Sequence, residues 1–141
     1  YYIHSPHNMI YIYTSGNRKE EYTDHHTLAL FGFAGEPGLN HMAYEVEDYD
    51  DLMKGHFHLE YLQEQDKKNN VEKPTSNGHA WGVARHILGS QIFDYWKDPH
   101  DFTFEHWTDG DQYKFSDGSR KSTIIDLLAT QWGPTKIGSH L

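Results

Sequence analysis

The chain has no cysteine among its 141 residues. It can therefore form neither a disulfide nor a thiolate metal site, and this favours a reducing, cytoplasmic setting. Long apolar runs are also missing: mean hydropathy is -0.84, and no stretch approaches the roughly 18 apolar residues that cross a bilayer. The first ten residues lack the basic and apolar blocks of a signal peptide. We expect a soluble domain without membrane association.

Basic residues are few compared with acidic ones. Twelve Lys and Arg stand against 21 Asp and Glu, which gives a formal net charge of -9. Nucleic-acid binding requires a basic face for phosphate contacts, so the composition argues against it as the main role. Histidine is abundant, with 12 residues. Most are expected to be ordinary surface or core side chains, so only histidines on strands beside other reactive groups indicate a site.

Apolar periodicity divides the chain into short strands and one long helix. Strands are predicted over residues 8–14, 25–33, 40–47, 80–87, 90–96 and 101–107. A helix is predicted from the acidic run at 48–51 to about Gln65, with an inward stripe of Leu52, His56, Leu59 and Leu62. Residues 15–24 and 66–78 are predicted as polar connections. The region 109–141 is predicted as a tail with one short helical piece, and its Trp132-Gly-Pro sequence as a packed anchor rather than a strand.

The strand–helix–strand–strand–strand order over residues 40–107 favours an α+β fold with a mixed sheet curled around a pocket. Reactive side chains lie on these predicted strands: His41 on the first, then His86, Tyr95 and Glu105 on the last three. An imidazole and a carboxylate from different strands can form an oxygen/nitrogen metal site with open positions. Each side chain also has an ordinary explanation, as a hydrogen-bonded histidine, a core tyrosine or a salt-bridged glutamate.

Four blocks of this sequence resemble a known family. They are EEYTDHHTLALF (20–31), LNHMAYEVEDYDDLMKGH (39–56), WGVARHILGSQIFDYWKDP (81–99) and FEHWTDGD (104–111). They are similar to the catalytic C-terminal half of type I extradiol ring-cleaving dioxygenases, of the trihydroxytoluene oxygenase and catechol 2,3-dioxygenase kind, within the vicinal-oxygen-chelate (glyoxalase/bleomycin-resistance) fold. The resemblance implies βαβββ modules. Residues 1–33 would end a first module and 40–107 would form a second, within a catalytic domain at 1–112 and with a tail at 113–141 that packs on it.

The resemblance also implies a role for five side chains. His41 and Glu105 match metal ligands, and His25 matches an acid–base residue beside the metal, with His26 on the opposite face of its strand. His86 and Tyr95 match residues that contact substrate. The implied reaction is extradiol cleavage of a catechol-type diol by dioxygen at Fe(II), with Mn(II) as the alternative metal. Its product would be of the muconic semialdehyde type, as in aromatic-compound catabolism.

The sequence departs from the family pattern at one metal ligand. The family's first ligating histidine lies on an opening strand followed by a helix, and both are expected to precede Tyr1. The chain is then truncated, completed by another chain, or degenerate. The alternative function is therefore a non-catalytic binding module of the same fold. A metal-dependent isomerase or lyase is a third possibility, but such enzymes typically use two glutamates. Sheet edges left open by a missing strand predict a homo-oligomer.

Overall fold

The computed structural model describes residues 2–4, 9–13, 21–31 and 36–136. The strands are β1 (Tyr2–His4), β2 (Met9–Tyr13), β3 (Thr23–Asp24), β4 (Leu28–Phe31), β5 (His41–Glu45), β6 (Gly78–His86), β7 (Ile92–Lys97), β8 (Thr103–Thr108), β9 (Gln112–Tyr113), β10 (Lys121–Ser122) and β11 (Thr130–Trp132). The helices are α1 (Tyr49–Lys68), a 3-10 turn (Phe115–Asp117) and α2 (Ile124–Leu128).

A five-stranded mixed sheet with the order β11-β6-β7-β8-β5 carries the site described below. β5 pairs in parallel with β8. Helix α1 connects β5 to the antiparallel meander β6-β7-β8. These elements form one complete βαβββ unit. The predicted α+β class and mixed sheet are confirmed, as are the helix and the four strands of this unit, within a few residues at their ends.

Helix α1 begins where its sequence provides a cap. The Asp48 carboxylate accepts a hydrogen bond from the Asp51 backbone N–H at 2.9 Å, which satisfies one of the unpaired donors of the first turn. Acidic residues occupy this first turn and Lys67 and Lys68 the last, the charge order that the helix dipole favours. Leu52 is buried, and the helix packs against β7 and β8.

Strand β7 is the most deeply buried element of the sheet. All five residues from Ile92 to Trp96 are buried, although one of them is the charged Asp94. Because side chains alternate along a strand, Phe93 and Tyr95 share one face while Asp94 and Trp96 share the other. The first face carries the core cluster with Ala84, and the second faces α1. The two faces of β7 therefore create two different environments.

The remaining strands form two smaller sheets. β1, β2 and β4 pair antiparallel, and β10 joins β1 in parallel, in the order β10-β1-β2-β4. β3 and β9 form a two-stranded ribbon. The strand predicted at 8–14 is confirmed by β2.

Three predictions about local structure are corrected, two in the type of element and one in the start of a strand. Trp132 ends a true strand, because β11 pairs antiparallel with β6; a few residues suffice when an exposed sheet edge is available. The strand predicted at 25–33 begins only at Leu28, so His25 and His26 lie on the bend before it and do not alternate between faces. Within the predicted connection 15–24, Thr23 and Asp24 pair with β9.

Within the described ranges, the helices include none with the length and apolarity needed to cross a bilayer.

Candidate functional site

Four of the five side chains predicted from the sequence meet on one face of the five-stranded sheet. Tyr95 lies directly opposite Glu105 across the β7–β8 pair. His41 Nε2 on β5 lies 3.4 Å from Glu105 Oε2, and His86 Nε2 on β6 lies 3.5 Å from Glu105 Oε1. The Tyr95 hydroxyl is 3.2 Å from His86 Nε2. One carboxylate is thus bracketed by two imidazoles and a phenol from four strands, while the roles of these residues stay predictions.

The hydrogen bonding of His41 selects the tautomer of its ring. Its Nδ1 lies 2.7 Å from Asn40 Oδ1, and because that oxygen can only accept, Nδ1 must carry a proton. Nε2 of the same ring faces the Glu105 carboxylate at 3.4 Å and donates a hydrogen bond to it when it also carries a proton. Without that proton, the lone pair of Nε2 and the carboxylate oxygen would repel each other unless a metal ion lay between them. A proton or a metal ion meets that requirement, and a second-sphere partner on the far nitrogen is typical of ligating histidines.

Glu105 is buried, yet it is held as a carboxylate. Burial alone would raise its pKa, but hydrogen bonds from His41 and His86 outweigh burial and lower the pKa to about 2. Tyr95 shows the opposite effect: burial, followed by the nearby Glu105 charge, raises the pKa of its phenol well above the ordinary value. The site therefore holds an anionic carboxylate beside a phenol that keeps its proton.

The depressed pKa of Glu105 predicts an acid-sensitive fold. A carboxyl with a lower pKa in the folded than in the unfolded state contributes stability that is complete above its ordinary pKa of 4.5 and is lost as pH falls toward 2. For this buried group we expect a contribution on the order of 3 kcal/mol. Urea titrations of wild type and Glu105→Gln between pH 6 and pH 2.5 should give a stability difference that shrinks across this window.

The exposed Glu45 on neighbouring β5 supplies the matched control. Glu45→Gln should change the free energy of unfolding by no more than about 0.5 kcal/mol at pH 6. If the difference in the free energy of unfolding between wild type and Glu105→Gln stayed constant between pH 6 and pH 2.5, Glu105 would not have a depressed pKa.

The fifth predicted residue, His25, lies beside this group, together with His26. The Nδ1 atoms of the two rings are 2.9 Å apart, so one donates to the other. Burial lowers the pKa of His25 to about 3, and the neighbouring His26 and His86 act in the same direction. Burial likewise lowers the pKa of His26, against the opposing charge of Glu105. Both shifts favour the neutral form of the imidazole at pH 7.

A glycine makes room for His25. Gly89 has φ +75°, and a Cβ there would lie 2.7 Å from His25 Cγ and 2.5 Å from Gln91 Oε1. Only glycine combines this backbone conformation with such a close approach. The buried position of His25 therefore depends on the turn that follows β6.

Aromatic side chains support the site from the core side. The His86 ring packs on Phe93 with centroids 4.0 Å apart. The Tyr95 ring contacts His41 edge-on at 5.1 Å and stacks on Trp81 at 5.6 Å. Such packing holds each ring in one orientation, which a site requires of its side chains.

A groove of about 400 Å³ lined by residues such as Glu47, Asp48 and Asp109 does not border Glu105.

A further group of ligand-type side chains was not predicted from the sequence. His56, His79 and Asp94 offer ligand atoms that all lie within 4.8 Å of one another, and among the described residues they alone form such a group of three. Two signals pointed toward it: His56 belongs to the inward stripe of α1, and Asp94 is a charge within a buried strand. The third member, His79, carries no such signal in its local sequence.

Comparison with known proteins establishes the fold. No family model matches the sequence, and no curated protein matches it either. Among solved structures, the chain is similar to the Mn(II)-bound glyoxalase from Novosphingobium aromaticivorans, with a TM-score of 0.53 and 24% identity over 84% of this chain and 34% of that one. It thus spans about a third of that protein's length. The likeness and the βαβββ unit together show that this chain has the glyoxalase, or vicinal-oxygen-chelate, fold.

Proposed function

We propose that this chain carries part of the active centre of an extradiol-type dioxygenase that cleaves catechol-like aromatic diols with dioxygen and Fe(II), with Mn(II) as the alternative metal. The observation that supports it most is the His41–Glu105 pair. An imidazole nitrogen and an ionised carboxylate from two strands face each other at 3.4 Å, and this separation suits two ligands of one metal ion.

The donor set fits two of the three positions of a facial triad of two histidines and one carboxylate. His41 Nε2 and Glu105 would hold the metal. Among the described residues none adds a third ligand within reach of both, so a complete site would need a ligand from elsewhere, for example from a second molecule. When bound, Fe(II) would supply adjacent open positions for a catechol and dioxygen.

His86 and Tyr95 would bind and orient the diol. The Tyr95 phenol keeps its proton because burial and the Glu105 charge raise its pKa. It can therefore donate a hydrogen bond to a substrate oxygen. His86 Nε2 lies between that hydroxyl and Glu105, so a diol entering the site would meet both side chains. The surrounding aromatic rings would exclude water from the reacting atoms.

We assign proton transfer to the His25–His26 pair. Burial lowers the pKa of both imidazoles, so a proton placed on either ring would be passed on readily to a more basic substrate oxygen. The Nδ1–Nδ1 contact of 2.9 Å allows a proton held on one ring to be shared with the other. His26 joins His25 as a candidate because the charge of Glu105 acts on it directly.

The test is oxygen uptake by the iron-loaded chain. Protein loaded anaerobically with Fe(II) is mixed with several catechols in aerated buffer, and dissolved oxygen and the yellow ring-opened product are followed together. We expect one oxygen consumed per diol opened. Iron bound tightly without oxygen uptake, for every catechol tried, would refute the proposal. A glyoxalase assay on the same preparation tests the activity named for the fold neighbour.

A non-catalytic binding module is the second candidate, favoured by the two-ligand set among the described residues. It predicts that Fe(II) is lost on dialysis, whereas a complete site retains it. If the third ligand comes from a second copy, iron retention should rise with chain concentration, and sedimentation should show a homo-oligomer.

Ferrous iron and the absence of cysteine both suit a reducing compartment, so a cytoplasmic location belongs to the proposal.

A further inference from the structure

A second constellation lies on the helix-facing side of the same sheet, away from Glu105. It brings together His56 on α1, His79 on β6 and Asp94 on β7. His56 Nδ1 is 3.0 Å from Asp94 Oδ2 and 3.4 Å from His79 Nε2, while His79 Nε2 is 3.9 Å from Asp94 Oδ1. Because Asp94 alternates with Phe93 and Tyr95 along β7, this group and the His41–Glu105 pair occupy opposite faces.

Asp94 is a buried carboxylate, and its two oxygens differ in their hydrogen bonding. Its side chain has no exposed surface. Oδ2 accepts a hydrogen bond from Trp96 Nε1 at 2.6 Å, but Oδ1 has no hydrogen-bond partner among the described residues. Burying a carboxylate without full compensation is strongly unfavourable. A cation held jointly with the two imidazoles would provide that compensation.

The separation between the two imidazole nitrogens matches that between ligands of one small metal ion. A tetrahedral zinc ion with bonds of about 2.05 Å keeps its ligand atoms about 3.3 Å apart. The two imidazole nitrogens stand 3.4 Å apart. Without a metal, a proton on His56 Nδ1 can be donated to Asp94 Oδ2 at 3.0 Å or to His79 Nε2 at 3.4 Å, but not fully to both. A metal ion satisfies all three atoms at once.

The surrounding residues hold these ligands as outer-sphere partners do. His56 Nε2, on the far side of the ring from the group, lies 3.6 Å from the Glu60 carboxylate. Trp96 fixes Asp94 by its indole N–H, and the His79 ring packs on the same indole with centroids 3.8 Å apart. A histidine whose free nitrogen meets a carboxylate, and a ligating carboxylate that accepts a hydrogen bond, are common features of metal sites.

From this geometry we infer that His56, His79 and Asp94 form a second metal site, selective for a divalent ion that accepts nitrogen and oxygen ligands, with zinc as the first choice. His79 is partly exposed, with 34% of its side-chain surface accessible. Solvent can therefore reach the ion and supply a fourth ligand. The site does not depend on the chemistry proposed for Glu105, since the two groups lie on opposite faces of β7.

The test is a zinc titration of the metal-free chain by calorimetry, in wild type and in Glu105→Gln, which removes the carboxylate of the other face. We expect zinc to bind in both. His79→Phe keeps a ring over Trp96 but removes the ligand nitrogen, and it should weaken binding at this site by at least about tenfold. His58→Ala, on the exposed face of the same helix, is the matched control and should bind zinc like wild type.

Histidine side-chain ¹⁵N spectra locate the bound zinc whatever the variants do to stability. Metal on this site must shift His56 Nδ1 and His79 Nε2 and leave His58 unchanged. Three results would overturn the inference: no zinc binding, equal affinity in His79→Phe and wild type, or shifts confined to other histidines. A His56–Asp94 ion pair without metal would produce the first.

Discussion

Glu105→Gln should lower Fe(II) affinity at the His41 face by at least about 100-fold. Loss of an outer-sphere partner can already lower metal affinity by up to about 100-fold, and Glu105 is proposed as a direct ligand. Glutamine preserves the shape of the side chain but removes the negative charge that the proposed metal ligand supplies. Diol cleavage should fall to background. The measurements are anaerobic Fe(II) titration and oxygen uptake with catechol, on protein whose far-ultraviolet circular dichroism matches wild type.

Glu45→Gln is the control for this substitution. It makes the same chemical change on an exposed residue of β5, the strand that carries His41, and should leave iron binding unchanged. Equal iron affinity in Glu105→Gln and wild type would remove Glu105 as a ligand and with it the proposed reaction. Zinc binding at the His56–His79–Asp94 site should survive Glu105→Gln, which separates the outcomes for the two faces.

Phe93→Ala should lower the free energy of unfolding by about 3–5 kcal/mol, the range for truncation of a buried aromatic residue. Phe93 is completely buried and packs against Trp81, Tyr95 and His86. Its removal leaves a cavity in the central strand that the neighbouring strands cannot close without breaking their pairing. Urea unfolding followed by tryptophan fluorescence measures the effect.

Phe57→Ala is the matched control, since Phe57 is 59% exposed on α1 and its loss should cost no more than about 0.5 kcal/mol. Where Phe93→Ala leaves too little folded protein, Phe93→Leu should fold at a smaller cost. Because Phe93 supports the His86 ring, Phe93→Leu should also weaken catechol binding. A cost for Phe93→Ala below about 1 kcal/mol would show that β7 is not the centre of the core.

Local sequence determined the elements of the βαβββ unit. Asp48 marks the start of α1 because a short acidic side chain satisfies its first free N–H groups. The stretch around Phe93 forms a strand because its aromatic and β-branched side chains suit a pleated, buried surface. Their positions on predicted strands made His41, Glu105 and Tyr95 candidates, and the resemblance to a family supplied their roles. These features depend on residues within a few positions of each other, which a sequence displays directly.

Tertiary structure alone decided which of these side chains meet. His41 and Glu105 are 64 positions apart, and their 3.4 Å contact exists because β5 pairs with β8 in one particular register. A shift of one residue would turn Glu105 to the other face. The group of His56, His79 and Asp94 likewise needs α1 to pack on β7, and His25 reaches its buried place only because Gly89 leaves room. Strand register and helix packing are set by burial over the whole sheet, so no short stretch of sequence contains them.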